Sequence, residues 1–240
     1  MIYQVFLAGV SFLAGGVASL AGFGIGSFLT PLFALKTGTG LAIACVSVAH
    51  FSGTALRFGL LRKKINRKVL LSFGLMSALG GLIGALLHNF FYNAVLTDVF
   101  GGLLVFAGLV GLSGFSSRFR FSGIIAWFMG GLSGFFGGLV GNQGGIRSAA
   151  LFGFDLNPQS FVATATGIAL IVDIARLPVY LAVQWSAILA FWPLILIAIL
   201  GVVIGTLAGG RLLQRIPEPV FKKFISVIFL LIGLFVLIRQ

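Results

Sequence analysis

Ala21-Gly22-Phe23-Gly24-Ile25-Gly26 interrupts an apolar run over residues 3–35, and Gly137-Gly138-Leu139-Val140-Gly141-Asn142-Gln143-Gly144-Gly145 interrupts a second over residues 122–153. Each run is too long for one straight crossing of a bilayer, which takes about 20 residues. Glycine at this density weakens helix and frees backbone groups, so each run is expected to form two helical pieces around a break. Working outward, further apolar stretches lie at 40–60, 69–87, 94–114, 158–182, 187–208 and 219–238, and the uncharged stretch near Val183-Gln184-Trp185-Ser186 reads as a loop.

Composition agrees with a bilayer environment. Hydrophobic residues make up 59% of the 240 and charged residues only 8%, and the mean hydropathy is +1.17. So few charges do not cover a soluble surface. The first run has no basic start and no small-x-small cleavage site, so it is expected to be retained rather than removed as a signal peptide. The formal charge of +12 sits in short loops between apolar runs, which fits loops held on the cytoplasmic face and argues against nucleic acid as a partner. The lone Cys45 supplies neither a disulfide framework nor a thiolate metal site.

The breaks fall at matching places in an internal repeat. Gly22 and Gly141 are 141 − 22 = 119 apart, as are Gly26 and Gly145 (145 − 26) and Arg57 and Arg176 (176 − 57). Gly80-x-x-x-Gly84 reads against Gly201-x-x-x-Gly205 at 201 − 80 = 121, and Gly108 against Gly233 at 233 − 108 = 125. Tracts of this kind let helices approach closely. The expected organisation is one membrane domain over 1–240, with repeat 1 at about 1–115 and repeat 2 at about 122–240.

Charge then orients the halves. Arg62-Lys63-Lys64-Ile65-Asn66-Arg67-Lys68 is strongly basic, whereas its counterpart near Trp185 is uncharged; in the second half the basic loop is the next one, with Arg211, Arg215, Lys222 and Lys223. Arg118 and Arg120, between the halves, also read as cytoplasmic. An unbroken fifth segment plus the sixth would leave Trp185 on their side. Hairpins that enter and return at each break remove that conflict and leave both termini outside. Eight simple spans in a parallel duplication are the other arrangement. The swap of sign between halves favours the first: an all-α integral membrane protein of two homologous halves as inverted repeats, each with a glycine-rich broken or re-entrant helix.

Irregular backbone at membrane depth is tolerated where protein buries it or a watery cavity meets it, so the two breaks point to one central site. Helix N-termini after each break would aim free N–H groups at an anion: Gly24, Gly26, Ser27 and Thr30 in the first half, Gly144, Gly145 and Arg147 in the second. The second tract is the more polar, and the Asn142 and Gln143 amides beside the Arg147 guanidinium suit an oxyanion. The same side chains would also serve to satisfy broken-helix carbonyls, with Arg147 reaching a headgroup. Ser47, His50, Thr54 and Arg57 share one face of the next helix, and Thr166, Asp173 and Arg176 take three of the four matching positions. Ser47 and Thr166 are read as substrate contacts. His50, Arg57, Asp173 and Arg176 are read as coupling or gating residues, or as a neutralising set with Asp173 paired to Arg176.

Enzyme chemistry finds no footing. There is no Walker loop and no metal-ligand cluster, and Asp98, Asp155, Asp173 and Glu218 are scattered. Gly22-x-Gly24-x-Gly26 has the wrong spacing for a dinucleotide fingerprint. No cofactor is expected.

The glycine-rich break leading to Pro31, then Ala44 to Ser47, repeated as Gly141 to Gly145 and Ala163-Thr164-Ala165-Thr166, resembles the sulfite exporter TauE/SafE family over nearly the whole chain. Phe23, Ser27 and Ala150, which stands where the first half has Pro31, depart from that pattern. The resemblance implies a carrier of the cell inner membrane that moves a small sulfur-containing anion, such as sulfite or a sulfonate. With no ATP-binding element, the expected mechanism is secondary transport by alternating access, with one repeat rocking against the other and proton coupling through His50 as one option. A non-transporting membrane subunit and a passive anion channel are the rivals. The partners are the anion and the lipid bilayer; the many small-residue faces serve either a homo-oligomer or packing within the chain.

Overall fold

Apolar segments without water must satisfy their backbone internally, and this chain does so as helix. The computed structural model describes residues 2–91, 101–102, 105–106, 108–109, 112–113, 123–140, 144–151, 153–213 and 217–238, among which there is no strand. The helices are α1 (Ile2–Ala21), α2 (Ile25–Thr37), α3 (Thr39–Leu61), the single turn α4 (Arg67–Val69), α5 (Leu75–Phe91), α6 (Ile124–Val140), α7 (Gly144–Leu151), α8 (Pro158–Ala190), α9 (Trp192–Leu213) and α10 (Glu218–Ile238). A π-helical stretch, Leu70–Gly74, joins α4 to α5. Five stretches are long and apolar enough to cross a membrane: Ile2–Ala21, Gly40–Lys64, Arg67–Leu87, Pro158–Ala190 and Trp192–Leu212. Ile124–Leu139 and Ser226–Phe235 are apolar but shorter.

The first break is narrower than the tract that announces it. Only Gly22, Phe23 and Gly24 leave the helix, and the two glycines take φ of 79° and 135°, which side chains with a Cβ rarely adopt. α2 then doubles back along α1: the Tyr3 hydroxyl donates to the Leu32 carbonyl at 3.0 Å, and the Lys36 ammonium lies 5.4 Å over the Tyr3 ring. The second break separates α6 from α7, with residues 141–143, and so Asn142 and Gln143, outside the described residues.

The break read near Val183-Gln184-Trp185-Ser186 is present as a kink: Gln184 takes non-helical φ −127° and ψ 21°, and two helical pieces of α8 meet there. The second piece runs to Ala190, and the chain leaves it at Phe191; Pro193, which has no amide hydrogen to offer, stands in the first turn of α9.

Among the described residues α2–α3, α3–α9 and α5–α8 pack extensively, and four further seams fix the arrangement around the site. At the centre α3 crosses α8 antiparallel, since Arg57 meets Thr166 while His50 meets Asp173. α1 and α9 run parallel, as do α5 and α6, in contacts so close that a Cβ on Gly15 would strike the Val202 carbonyl and one on Gly134 the Ser77 carbonyl. These two seams agree position by position: 134 − 15 = 119 and 202 − 77 = 125. Likewise Gly205 meets Phe12 and Gly16 as Gly80 meets Gly131 and Phe135. In packing, Gly80 and Gly84 therefore correspond to Gly205 and Gly209, one helical turn beyond the Gly201 and Gly205 suggested by sequence. The fourth seam sets Gly101 and Gly108 against Gly233, Ser226 and Leu230 of α10, again antiparallel.

Backbone lies on the other side of these glycines, and backbone cannot swing away. Gly15→Val is expected to destabilise by ~3 kcal/mol or more, whereas Gly9→Val on the same helix, where an added Cβ meets nothing within 4 Å, should be near neutral. Thermal unfolding of the detergent-purified protein checks the pair.

Candidate functional site

The polar residues of the interior converge where α3 and α8 cross beside the breaks. Asn66 starts α4 by accepting from the Val69 amide with its side chain at 3.1 Å. Its own backbone N–H donates to Thr164 Oγ1 at 2.9 Å, which sets the start of α8 beside the basic loop of residues 62–68. α8 begins at Asn157, whose side chain accepts from Ser160 N at 2.9 Å, with Pro158 following in the first turn. From there α8 runs antiparallel to α3 and carries Thr166, Asp173, Arg176 and Tyr180 past its neighbour.

Asp173 is the hub. Its Oδ2 lies 2.6 Å from His50 Nδ1, and its Oδ1 accepts from Arg176 Nε at 3.1 Å and Nη2 at 2.9 Å. The Asp173–Arg176 pairing read from the sequence is therefore present, with His50 as a third member. Thr54 Oγ1 stands 3.4 Å from the same His50 nitrogen. Arg57 is anchored by Nε donating to Thr166 Oγ1 at 3.1 Å and Nη2 to Thr54 Oγ1 at 3.5 Å.

The guanidiniums also close the broken helices. Arg147 of α7 donates from Nη2 to the Gly22 carbonyl at 2.9 Å, at the end of α1. Arg176 Nη1 donates to the Gly137 carbonyl at 3.1 Å and the Tyr180 hydroxyl to the Gly138 carbonyl at 3.0 Å, near the end of α6. The breaks touch each other: a Cβ on Gly144 would overlap Phe23, and one on Gly22 would come within 2.9 Å of Ala165 Cβ.

This arrangement leaves positive charge without a counter-charge. Arg57, Arg147 and Arg176 are all at most 3% exposed, and Asp173, the carboxylate buried among them, is taken by Arg176 and His50. Among the described residues Arg57 and Arg147 have no acidic partner, and Arg57 Nη1 and Arg147 Nε have no hydrogen-bond partner at all. An uncompensated buried cation costs several kcal/mol. A bound anion removes that cost.

The other residues named from sequence are distributed around this centre. Ser47 Oγ donates to the Ala44 carbonyl at 2.6 Å, within its own helix. Gly24 precedes α2 and Gly26 is buried in its first turn. Thr30 Oγ1 is buried with no hydrogen-bond partner. Ser27 lines an apolar groove with Phe28, Pro31 and residues of α1 and α10. Gly144 opens α7, and Gly145 follows it in the helix. Sequence reasoning missed Tyr180, Ser19 and Thr206; Thr206 alone carried a signal, as the single hydroxyl-bearing residue in α9.

Asp173→Asn removes the carboxylate from an otherwise cationic interior and should cost ~3–5 kcal/mol. Pairing it with Arg176→Gln should recover part of the loss, which a double-mutant cycle on thermal unfolding will read.

A family model described as Sulfite exporter TauE/SafE matches residues 7–236. No curated protein and no solved structure matches the chain.

Proposed function

This chain belongs to the sulfite exporter TauE/SafE family, and we propose that it is a secondary transporter which carries a small sulfur-containing oxyanion, such as sulfite or a sulfonate, out across the cell inner membrane. It is a multi-pass membrane protein of a transporter family. The observation that carries the reading is the charge imbalance of the interior: among the described residues three buried arginines face one buried aspartate, and two of them keep an unpartnered guanidinium nitrogen. A small oxyanion at the breaks accepts from those donors and supplies the missing negative charge. Asn142, Gln143 and the free N–H groups at the start of α7 complete its shell, with Thr30 on the opposite side.

The reading extends to inverted repeats with re-entrant hairpins. α1, α2, α3, α5 and the stretch at 101–112 correspond to α6, α7, α8, α9 and α10. Under that correspondence the α1–α9 seam maps onto the α6–α5 seam, and the α3–α8 crossing maps onto itself. Two helices that cross antiparallel and exchange with each other need a two-fold axis perpendicular to both, which for membrane-crossing helices lies in the bilayer plane. The return of α2 to Tyr3 supports the hairpin at the first break. Residues 62–68 and Arg211 then share the cytoplasmic end, and Trp185 lies at the other.

Seams that join the halves alter the expected motion. Rocking one whole repeat against the other would tear α1 from α9 and α5 from α6, so exposure alternates by movement of these glycine-locked pairs about the α3–α8 crossing. The polar links His50–Asp173 and Arg57–Thr166 are the ones that exchange. His50 and Asp173 are the groups through which a proton gradient would act.

Uptake of radiolabelled sulfite into proteoliposomes, with and without a pH gradient, tests the function. Arg57→Gln and Arg147→Gln are each expected to cut the rate about tenfold or more, the equivalent of ~1.4 kcal/mol. Absence of flux, together with no thermal stabilisation by a panel of sulfur oxyanions, would overturn the carrier. In a Cys45→Ala background, Ile65→Cys and Trp185→Cys should be labelled by an impermeant maleimide from opposite faces; labelling from one face sinks the inverted topology.

A further inference from the structure

Arg57 reaches a second place as well, between α1, α3 and α9, where another buried polar atom has no partner. There a cavity of about 260 Å³ is walled by leucines and by Ser19, Arg57, Thr206, Gly210 and Arg211, with no acidic residue in its lining. Ser19 Oγ is occupied, donating to the Thr206 carbonyl at 2.9 Å. The Thr206 side chain is fully buried and its Oγ1 has no partner, and the same holds for Arg57 Nη1. A buried hydroxyl and a buried guanidinium nitrogen left open at one cavity are each costly in isolation. Arg211, exposed at the end of α9, adds a second cation at the same place.

The corresponding place in the other half is built to be satisfied. The counterparts by packing register are Gly138 for Ser19 and Arg176 for Arg57 (both +119), and Gly81 for Thr206 (−125). Tyr180 stands where the first half has Leu61 (180 − 61 = 119), and its hydroxyl donates to the Gly138 carbonyl. Arg176 is paired with Asp173, whose counterpart beside Arg57 is Thr54 (173 − 54 = 119). One end of the molecule therefore closes its polar groups on each other, and the basic end leaves two of them buried without a partner in residues that wall a cavity.

We propose that the cavity formed by Arg57, Thr206, Ser19 and Arg211 is an anion-binding vestibule on the basic face, which takes a small oxyanion before it reaches the breaks. Arg57 supplies charge and an N–H donor, the Thr206 hydroxyl donates a second hydrogen bond, and Arg211 draws the anion to the mouth. Arg57 thus belongs to both places, bonded through Thr166 to the central crossing and lining the vestibule. The assignment rests on the carrier reading and adds to it where, and from which side, the anion first binds.

Titration calorimetry with sodium sulfite on the full-length, detergent-purified protein tests it. Thr206→Val keeps the side-chain shape and removes the hydroxyl; it should weaken sulfite binding about fivefold or more while leaving thermal stability unchanged or raised. Gly210 lines the cavity, and a Cβ there meets nothing within 4 Å, so both Gly210→Glu and Gly210→Gln should fold. The glutamate is expected to weaken binding about tenfold or more, and the glutamine by no more than about twofold. Sulfite affinity unchanged by Thr206→Val overturns the vestibule, even if Gly210→Glu acts through its charge. Proteoliposomes that transport sulfite normally with Thr206→Val would refute the vestibule and leave the carrier standing; a wild-type protein that neither binds nor moves sulfite refutes the carrier itself.

Discussion

A helix that stops inside a protein interior leaves carbonyls that need donors, and in this chain arginine side chains meet them. Arg147 donates to Gly22 at the end of α1, and Arg176 donates to Gly137 near the end of α6, with Tyr180 on the adjacent Gly138. Each guanidinium also lies at the negative end of a helix dipole, where a cation is favoured. The breaks are tolerated because these donors are present, and the donors are tolerated because the breaks supply acceptors. Both arginines come from the second half of the chain, so the ends of α1 and α6 are tied to the same two helices, α7 and α8.

That solution has an electrostatic residue. Carbonyl oxygens satisfy hydrogen bonds but do not cancel charge. One aspartate, shared by Arg176 and His50, leaves Arg57 and Arg147 uncompensated. A structural device for closing broken helices thus leaves excess positive charge in the interior, among the described residues.

Much of this was legible in the amino-acid sequence, and the parts that were not share a cause. Glycine density located the break at Gly22 to Gly24 because positive φ has few other occupants, and the match of Arg57 with Arg176 showed the repeat because arginine in an apolar run is rare. The uncharged stretch near Trp185 located the kink at Gln184, but not the short helical piece that follows it to Ala190, because polarity marks where a helix breaks and not how soon it resumes. The register of the glycine seams was misread by one turn because glycines recur every four residues in both tracts; only the opposing carbonyls distinguish Gly201 from Gly205. Tyr180 carried no sequence pattern, and Thr206 only that of a lone hydroxyl in an apolar helix; the meaning of each lies in what faces it across the fold.

The seams also decide what is able to move. Where two backbones meet without side chains between them, separation loses many close contacts at once and opens a void that neither lipid nor water fills well. α1 with α9 and α5 with α6 are joined in this way, each pair drawing one helix from each half. The α3–α8 crossing is held by side chains instead, through Arg57, Thr166, His50 and Asp173, and bonds of that kind exchange partners with little change in number. Two glycine seams around one polar crossing therefore place the exchangeable bonds at the α3–α8 contact and the bonds that resist separation at α1–α9 and α5–α6.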